Sequence, residues 1–207
     1  MEDIILIGFG GHAKSVADTI EQSGKFNIAG YTDSSPVCKD YSYKWLGKDD
    51  KLEKYYKSGI QYAFISIGYM GNCNIRDKLY YRIKEIGYIL PVVIDKSAVI
   101  AKNVEIGEGT YVGKNAVINA DSCIGKMCIV NSGSLVEHEN SIEDYSHIAV
   151  KATLCGNVHI GNHVFIGAGA TVIQGINIGE GCIVGAGSLV LGNIPGQKKV
   201  YGVYKNG

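Results

Sequence analysis

The side chains best suited to acid–base chemistry in this sequence are His138 and Glu139, adjacent in the stretch 131–147. Histidine gains and loses a proton near neutral pH, and a neighbouring carboxylate raises its basicity and fixes its tautomer. Such a couple suits a general base; taken alone, it equally suits a solvated surface pair. Three further histidines, His147, His159 and His163, raise a zinc reading, in which three imidazoles converge on one ion as in β-helix carbonic anhydrases. Their positions in the repeat described below do not converge within one subunit, so no metal site is expected.

A second candidate lies near the amino end. Gly8-Phe9-Gly10-Gly11-His12-Ala13 follows an apolar strand at 3–7 and opens a helix predicted over 13–22, with Gly24 as its stop signal. A second strand at 27–32 ends at Asp33. A glycine turn at a helix N-terminus aims backbone N–H groups and the helix dipole at phosphate. The pattern matches G-x-G-x-x-G/A with an acidic residue about 20 positions on, the dinucleotide fingerprint. A dinucleotide, however, needs two mononucleotide-binding halves, and only about 90 residues precede the repeat, about half of such a fold. A mononucleotide or nucleotide-sugar therefore fits better than NAD(P); a purely structural turn is the third reading.

The elements that position these groups are legible in the pattern. Predicted helices over 49–57 and 72–86 flank a third strand at 62–67, which Gly68-Tyr69 closes at the carboxyl edge, where α/β crevices bind ligands. Arg76 is read as a salt-bridge partner of Asp77 or Glu85, with phosphate as the other possibility. Tyr41, Tyr43, Tyr55, Tyr56, Tyr80 and Tyr81 are read mainly as packing of helices on the sheet. From Ile94 to Val190 an aliphatic residue then recurs at every sixth place without a miss. Neither the helical period of about 3.6 nor the strand period of two produces that spacing. A hexapeptide repeat does: three short strands make a coil of 18 residues, and about five stacked coils make a prism-shaped parallel β-helix. Glycine is frequent one place after the aliphatic (Gly107, Gly125, Gly161, Gly167), read as a corner needing unusual φ/ψ. Small residues such as Ala116, Ser134 and Cys182 recur two places before it.

The expected fold is thus an α/β half-Rossmann domain over 1–90 followed by an all-β left-handed parallel β-helix over 91–207, ending in a short tail. Counting by six places His138 two residues after the inward Val136, pointing out of the prism. Positions 18 apart stack, so Gly156 lies over His138 and leaves open backbone and room for a substrate.

Formal charge balances at 20 basic and 20 acidic residues, with no Lys/Arg run, so no nucleic-acid or anionic-membrane partner is expected. No apolar run reaches about 18 residues and no signal-peptide pattern opens the chain, so it reads as cytoplasmic. The six cysteines (Cys38, Cys73, Cys123, Cys128, Cys155, Cys182) show no C-x-x-C spacing and read as reduced structural thiols.

The run from Ile7 to Lys14, the repeat carrying Asn131-Ser132-Gly133-Ser134-Leu135-Val136-Glu137-His138-Glu139, then Ser146-His147 and Cys155-Gly156-Asn157-Val158, resembles the sugar acetyltransferase family. That family includes sialic acid O-acetyltransferases and N-acetyltransferases of nucleotide-linked 4-amino sugars. The resemblance covers essentially the whole chain and implies acetyl-CoA as co-substrate. It implies His138 as general base, tuned by Glu139, with Asn131 near the substrate. His147 would lie near the thioester, and Gly156, Ala168 and Ala186 along the pantetheine arm. Gly10, Gly11, His12, Asp33, Ser34 and Gly68 would form the nucleotide-sugar pocket. It further implies a homotrimer with coenzyme between neighbouring β-helices. The phosphate-binding character of the glycine turn favours a nucleotide-linked amine over free sialic acid as acceptor. Two departures stand out: the tail Gly202-Val203-Tyr204-Lys205 lacks the family's proline, and Asp33-Ser34 replaces the Asp-Asp of some members.

Overall fold

The computed structural model describes residues 1–37, 43–71 and 74–205, in two compact units: 1–68 with 74–93, and 69–71 with 94–205. Cys38, Tyr41, Cys73 and the predicted start of the third helix at 72 lie outside the described residues.

In the first unit, β1 (Glu2–Ile7), β2 (Phe26–Thr32) and β3 (Tyr62–Ile65) form a parallel sheet in the order β2-β1-β3. Ile4, Ile5, Leu6 and Ile7 are all fully buried. That is the signature of a central strand covered on both faces. Helix α1 (Gly11–Ser23) buries Ala13, Val16, Ala17 and Ile20 and stops at Gly24, whose φ of 63° makes the left-handed cap. A single 3-10 turn (Asp49–Lys51) leads into α2 (Leu52–Lys57), and α3 is Ile75–Ile86. Arg76, read as a salt-bridge partner, is buried, at 2% exposed.

One feature escaped the pattern: residues 44–47 run along the outer edge of β2. The Tyr31 N–H donates to the Lys44 carbonyl, the Leu46 N–H to Tyr31, and the Asp33 N–H to Gly47. The approach needs glycine at position 30 (φ 149°), where a Cβ would lie 2.4 Å from the Lys44 oxygen. This segment occupies backbone groups that an open edge would leave unpaired.

Tyr88 closes this unit's base. Its hydroxyl donates to the Leu52 carbonyl at 2.8 Å, and burial pushes the phenol up to about 12. An unfolded tyrosine ionises near 10. The stabilising contribution is therefore complete below pH 10 and is lost as pH rises through about 12. Tyr88→Phe should cost about 1 kcal/mol at neutral pH and flatten the alkaline loss of stability. Melting temperatures measured from neutral pH upward check both.

In the second unit, two-residue strands alternate among three faces, forming a left-handed parallel β-helix. The first face runs from Val93–Ile94 through Ile129–Val130 and His147–Ile148 to Lys199–Val200. The second runs from Val99–Ile100 through Leu135–Val136 to Val203–Tyr204, and the third from Glu105–Ile106 through Ser141–Ile142 to Asn177–Ile178. Up to Val190, partners are 18 residues apart, as in Val136↔Leu154. Inward aliphatics such as Val136, Ile148, Leu154 and Ile166 are fully buried. Each contributes about 1.5–3 kcal/mol over an exposed position. The small residues between them double as ties. The Ser146 hydroxyl donates to the Gly161 carbonyl and accepts the Val164 N–H, linking successive coils. Cys128 and Cys182 fill the same place, their thiols directed at the carbonyls of Glu143 and Pro195, and burial raises the Cys182 thiol.

Two expectations change. Glycine after the aliphatic is not there for φ. The left-handed residues fall two places later, at every sixth position: Asn103, Asn115, Asp121, Glu139, Asn157 and Gly169 among them. At the earlier place, glycine is demanded by close stacking. A Cβ on Gly107 would lie 2.5 Å from the Lys126 nitrogen, and one on Gly167 2.5 Å from that of Ala186. The coils also number six or more rather than five. Two faces carry seven strands, and on the third, Ile194 bridges to Ile178 above its five. The last inward residues, Ile194, Val200 and Tyr204, follow Val190 at intervals of four, six and four. Shortened corners broke the metronome while the winding continued, so the supposed tail is coil. Among the described residues, no helix is long and apolar enough to cross a membrane.

Candidate active site

His138 and Glu139 stand on the corner between the second and third faces, both outward, with side chains 60% and 64% exposed. Their conformation follows from the repeat. Glu139 takes the corner's left-handed place (φ 59°), its N–H donating to the Ala120 carbonyl one coil below. Asn140, buried beneath, fixes the corner. Its side-chain amide donates to the Glu137 carbonyl, and its Oδ1 accepts the Val158 N–H one coil above. On this frame the Glu139 Oε2 lies 3.1 Å from the His138 Nδ1. The carboxylate therefore holds the proton on Nδ1 and leaves the Nε2 lone pair outward.

Gly156 stacks over the ring as the count by 18 requires. A Cβ there would lie 2.6 Å from both Cε1 and Nε2 of His138. Its glycine is thus explained by the imidazole, which could not otherwise occupy this position.

Asn131 and His147 form a second cluster, next to the corner between the first and second faces. The His147 Nδ1–H donates to the Tyr69 carbonyl at 2.6 Å, and its Nε2 accepts from the Asn131 side-chain amide at 3.2 Å. The Asn131 Oδ1 in turn accepts the Ser132 N–H at 2.8 Å. His147 is only 8% exposed, with the Phe165 ring against it. Ala168 and Ala186 stack on the same corner, the Gly187 N–H donating to the Ala168 carbonyl. The residues picked from the sequence therefore fall on two corners of one prism: His138, Glu139 and Gly156 on one, Asn131, Ala168 and Ala186 on the other, with His147 on the adjoining face.

Tyr69 had no assigned role. Besides accepting from His147, its hydroxyl donates to the His163 carbonyl at 2.6 Å. Gly71 lets the segment lie flat, since a Cβ there would meet Ile183 at 2.5 Å. A pairing 78 residues apart leaves no local signature that sequence reading could have used.

The histidines of the zinc reading occupy separate surroundings. His163 stacks on Tyr145 at 5.0 Å, and His159 pairs with Glu143 at 3.3 Å. Among the described residues, no three His, Cys, Asp or Glu side chains gather around a common point. A shallow groove of about 610 Å³ along the third face, lined by Glu105, Cys123, Ser141, Glu143 and Asn162, does not include His138.

In the first unit the glycine turn separates into two kinds of glycine. Gly8 is structural: φ is 84°, and a Cβ would lie 2.4 Å from Ile67. Gly10 and Gly11 are exposed, take no left-handed conformation, and a Cβ on either would meet nothing within 4 Å. Nothing among the described residues explains them. They leave bare backbone at the start of α1, whose Ncap, Gly10, makes no side-chain cap. Such a place suits phosphate. Gly68 is also exposed, with a Cβ in ordinary contact with that of His12 at 3.7 Å. Asp33 is already engaged: its Oδ2 accepts the Phe9 N–H at 2.8 Å, and its Oδ1 accepts both the N–H and the hydroxyl of Ser34.

The PglD N-terminal domain profile matches residues 3–83, and the hexapeptide repeat of succinyl-transferase matches residues 157–191. Among solved structures, the chain is similar to a histidine-to-alanine variant of GDP-perosamine N-acetyltransferase from Caulobacter crescentus, in complex with CoA and GDP-perosamine. The two share 33% identity over 98% of this chain and 94% of the other, with a TM-score of 0.92. The acetyltransferase domain of PglB from Neisseria gonorrhoeae FA1090, in complex with acetyl coenzyme A, shares 28% identity over 97% and 96%, TM-score 0.90. WeeI from Acinetobacter baumannii AYE shares the fold at 21% identity over 98% and 97%, TM-score 0.63. Matched in both units and along nearly its whole length, the chain belongs to the hexapeptide-repeat sugar acetyltransferase family.

Proposed function

We propose that this protein transfers the acetyl group of acetyl-CoA to the amine of a nucleotide-linked 4-amino sugar, with His138 as general base. The observation that carries this reading is the His138–Glu139 couple, held outward with its Nε2 unencumbered beneath a glycine that leaves it room. The similar Caulobacter crescentus enzyme binds CoA and GDP-perosamine together. That supports direct transfer without an acyl-enzyme.

The acceptor amine attacks the thioester carbonyl while Nε2 takes its proton. The tetrahedral intermediate then collapses, the C–S bond breaks, and coenzyme A leaves as thiol after protonation. Glu139 fixes the tautomer and stabilises the imidazolium. One N–H of the Asn131 amide donates to His147, itself held by the Tyr69 carbonyl, and the other N–H supplies a polar donor toward the reacting groups. Cys155 is not required.

Because the two clusters sit at opposite edges of the second face, we infer a homotrimer in which that face meets its copies around the axis. His138 of one copy then faces the Asn131 corner of the next. Of the seven outward residues of that face, five (Val99, Val117, Leu135, Leu189 and Val203) are aliphatic and two (Thr153 and Thr171) are threonine, and Val99 and Val203 are 58% and 66% exposed. Aliphatic faces of this kind are natural subunit contacts. Coenzyme would run along the Ala168–Ala186 corner, and phosphates of the acceptor would meet Gly10 and Gly11. A cytoplasmic location goes with this reading.

The test is incubation with acetyl-CoA and a panel of GDP-, UDP- and dTDP-linked 4-amino sugars beside free sialic acid, read by mass spectrometry. Acetylation of a nucleotide-linked amine is expected. Acetylation of sialic acid with none of the nucleotide sugars would replace this reading by O-acetylation.

A further inference from the structure

Trp45 is the sole tryptophan of the chain and, unusually for its size, is 38% exposed. It lies on the edge segment that pairs with β2, bridging Tyr31. Its indole Nε1–H donates to the Asp33 carbonyl at 3.3 Å, just beyond the carboxyl end of β2. That polar tie fixes one end of the ring and leaves apolar surface in water, the opposite of a buried packing role. The neighbouring aromatics differ: Phe9 and Tyr31 stack at 4.4 Å and are 2% and 3% exposed.

The position has a chemical consequence. In a βαβ nucleotide site, phosphates sit at the N-terminus of the first helix and the ribose near the acidic residue closing the second strand. Here that residue is Asp33, which already accepts from Phe9 and twice from Ser34. A base reaching past the ribose needs a partner other than this carboxylate, and the exposed ring joined to Asp33 is Trp45.

We infer that Trp45 is the stacking platform for the nucleobase of the acceptor, an inference that rests on the nucleotide-sugar reading above. Stacking engages the π-face common to all bases, so Trp45 contributes affinity and orientation while base identity is read elsewhere. A single tryptophan makes this directly observable. Saturating GDP, UDP or dTDP, whichever calorimetry shows to bind, should quench the intrinsic tryptophan emission with the calorimetric Kd. Trp45→Ala should raise KM for the nucleotide sugar by about 5- to 150-fold, the usual range for loss of one base–aromatic stack. It should leave kcat at saturation and KM for acetyl-CoA within about twofold. Trp45→Phe should recover most of the loss, and circular dichroism of both variants excludes a folding defect. Calorimetric binding with unchanged emission, or a Trp45→Ala variant with normal nucleotide-sugar KM, overturns the stacking role and leaves the acetyltransferase reading standing. No calorimetric binding by any of the three diphosphates or their sugars overturns both.

Discussion

His138→Ala should lower kcat by about 10²–10⁴-fold while leaving the melting temperature and KM for acetyl-CoA nearly unchanged. The magnitude is that of a lost general base. The selectivity for kcat follows from geometry. The ring is outward on a corner, touches none of the buried aliphatics, and its removal costs only an exposed pairing with Glu139, of the kind that contributes little to stability. Steady-state kinetics with both substrates, beside a thermal melt, check each part. A variant with near-normal kcat would remove His138 from the chemistry.

Gly156→Ala is the sharper test, because it removes no catalytic group. The new methyl would fall 2.6 Å from Cε1 and Nε2 of His138, a separation that real contacts do not sustain. The backbone is held by the Gly175 N–H donating to the Gly156 carbonyl and by the neighbouring Asn157 N–H donating to that of His138. The imidazole, exposed and held by the exposed Glu139 carboxylate rather than by packing, yields first. A displacement of about 1 Å at a reacting group costs on the order of 10²-fold, so kcat should fall by about that factor with His138 and Glu139 both present. The companion change Gly169→Ala, where a Cβ meets nothing, provides the contrast: its φ of 65° costs stability, but no methyl enters the His138 corner.

The two units were legible to different degrees. A strict period of six is a long-range signal written locally, because every coil repeats the same inward demand. It located the β-helix, the outward direction of His138, and the stacking of Gly156 above it. It failed where the period itself changed, beyond Val190, and the coil went on without it. The reason for the corner glycines was misread for a related cause. Sequence shows that glycine recurs, but close stacking and left-handed backbone both select it, and only coordinates separate the two places. In the first unit, the strands and helices followed apolar runs and stop signals. The edge segment at 44–47 carries no such pattern, being held by β2 rather than by its own residues. The tie between Tyr69 and His147 was invisible for the same reason, since it spans 78 positions and uses a backbone carbonyl.

The separation of His138 from Asn131 across one face of the prism is the feature on which the proposed mechanism turns. Co-expression of His138→Ala with Asn131→Ala, under two affinity tags, yields mixed assemblies from two parents that are each nearly inactive. If the site is completed by the neighbouring copy, random mixing restores about one quarter of wild-type activity, since half of the His138 corners and half of the Asn131 corners are intact. Mixed assemblies no more active than their parents would show that one chain builds its whole site alone.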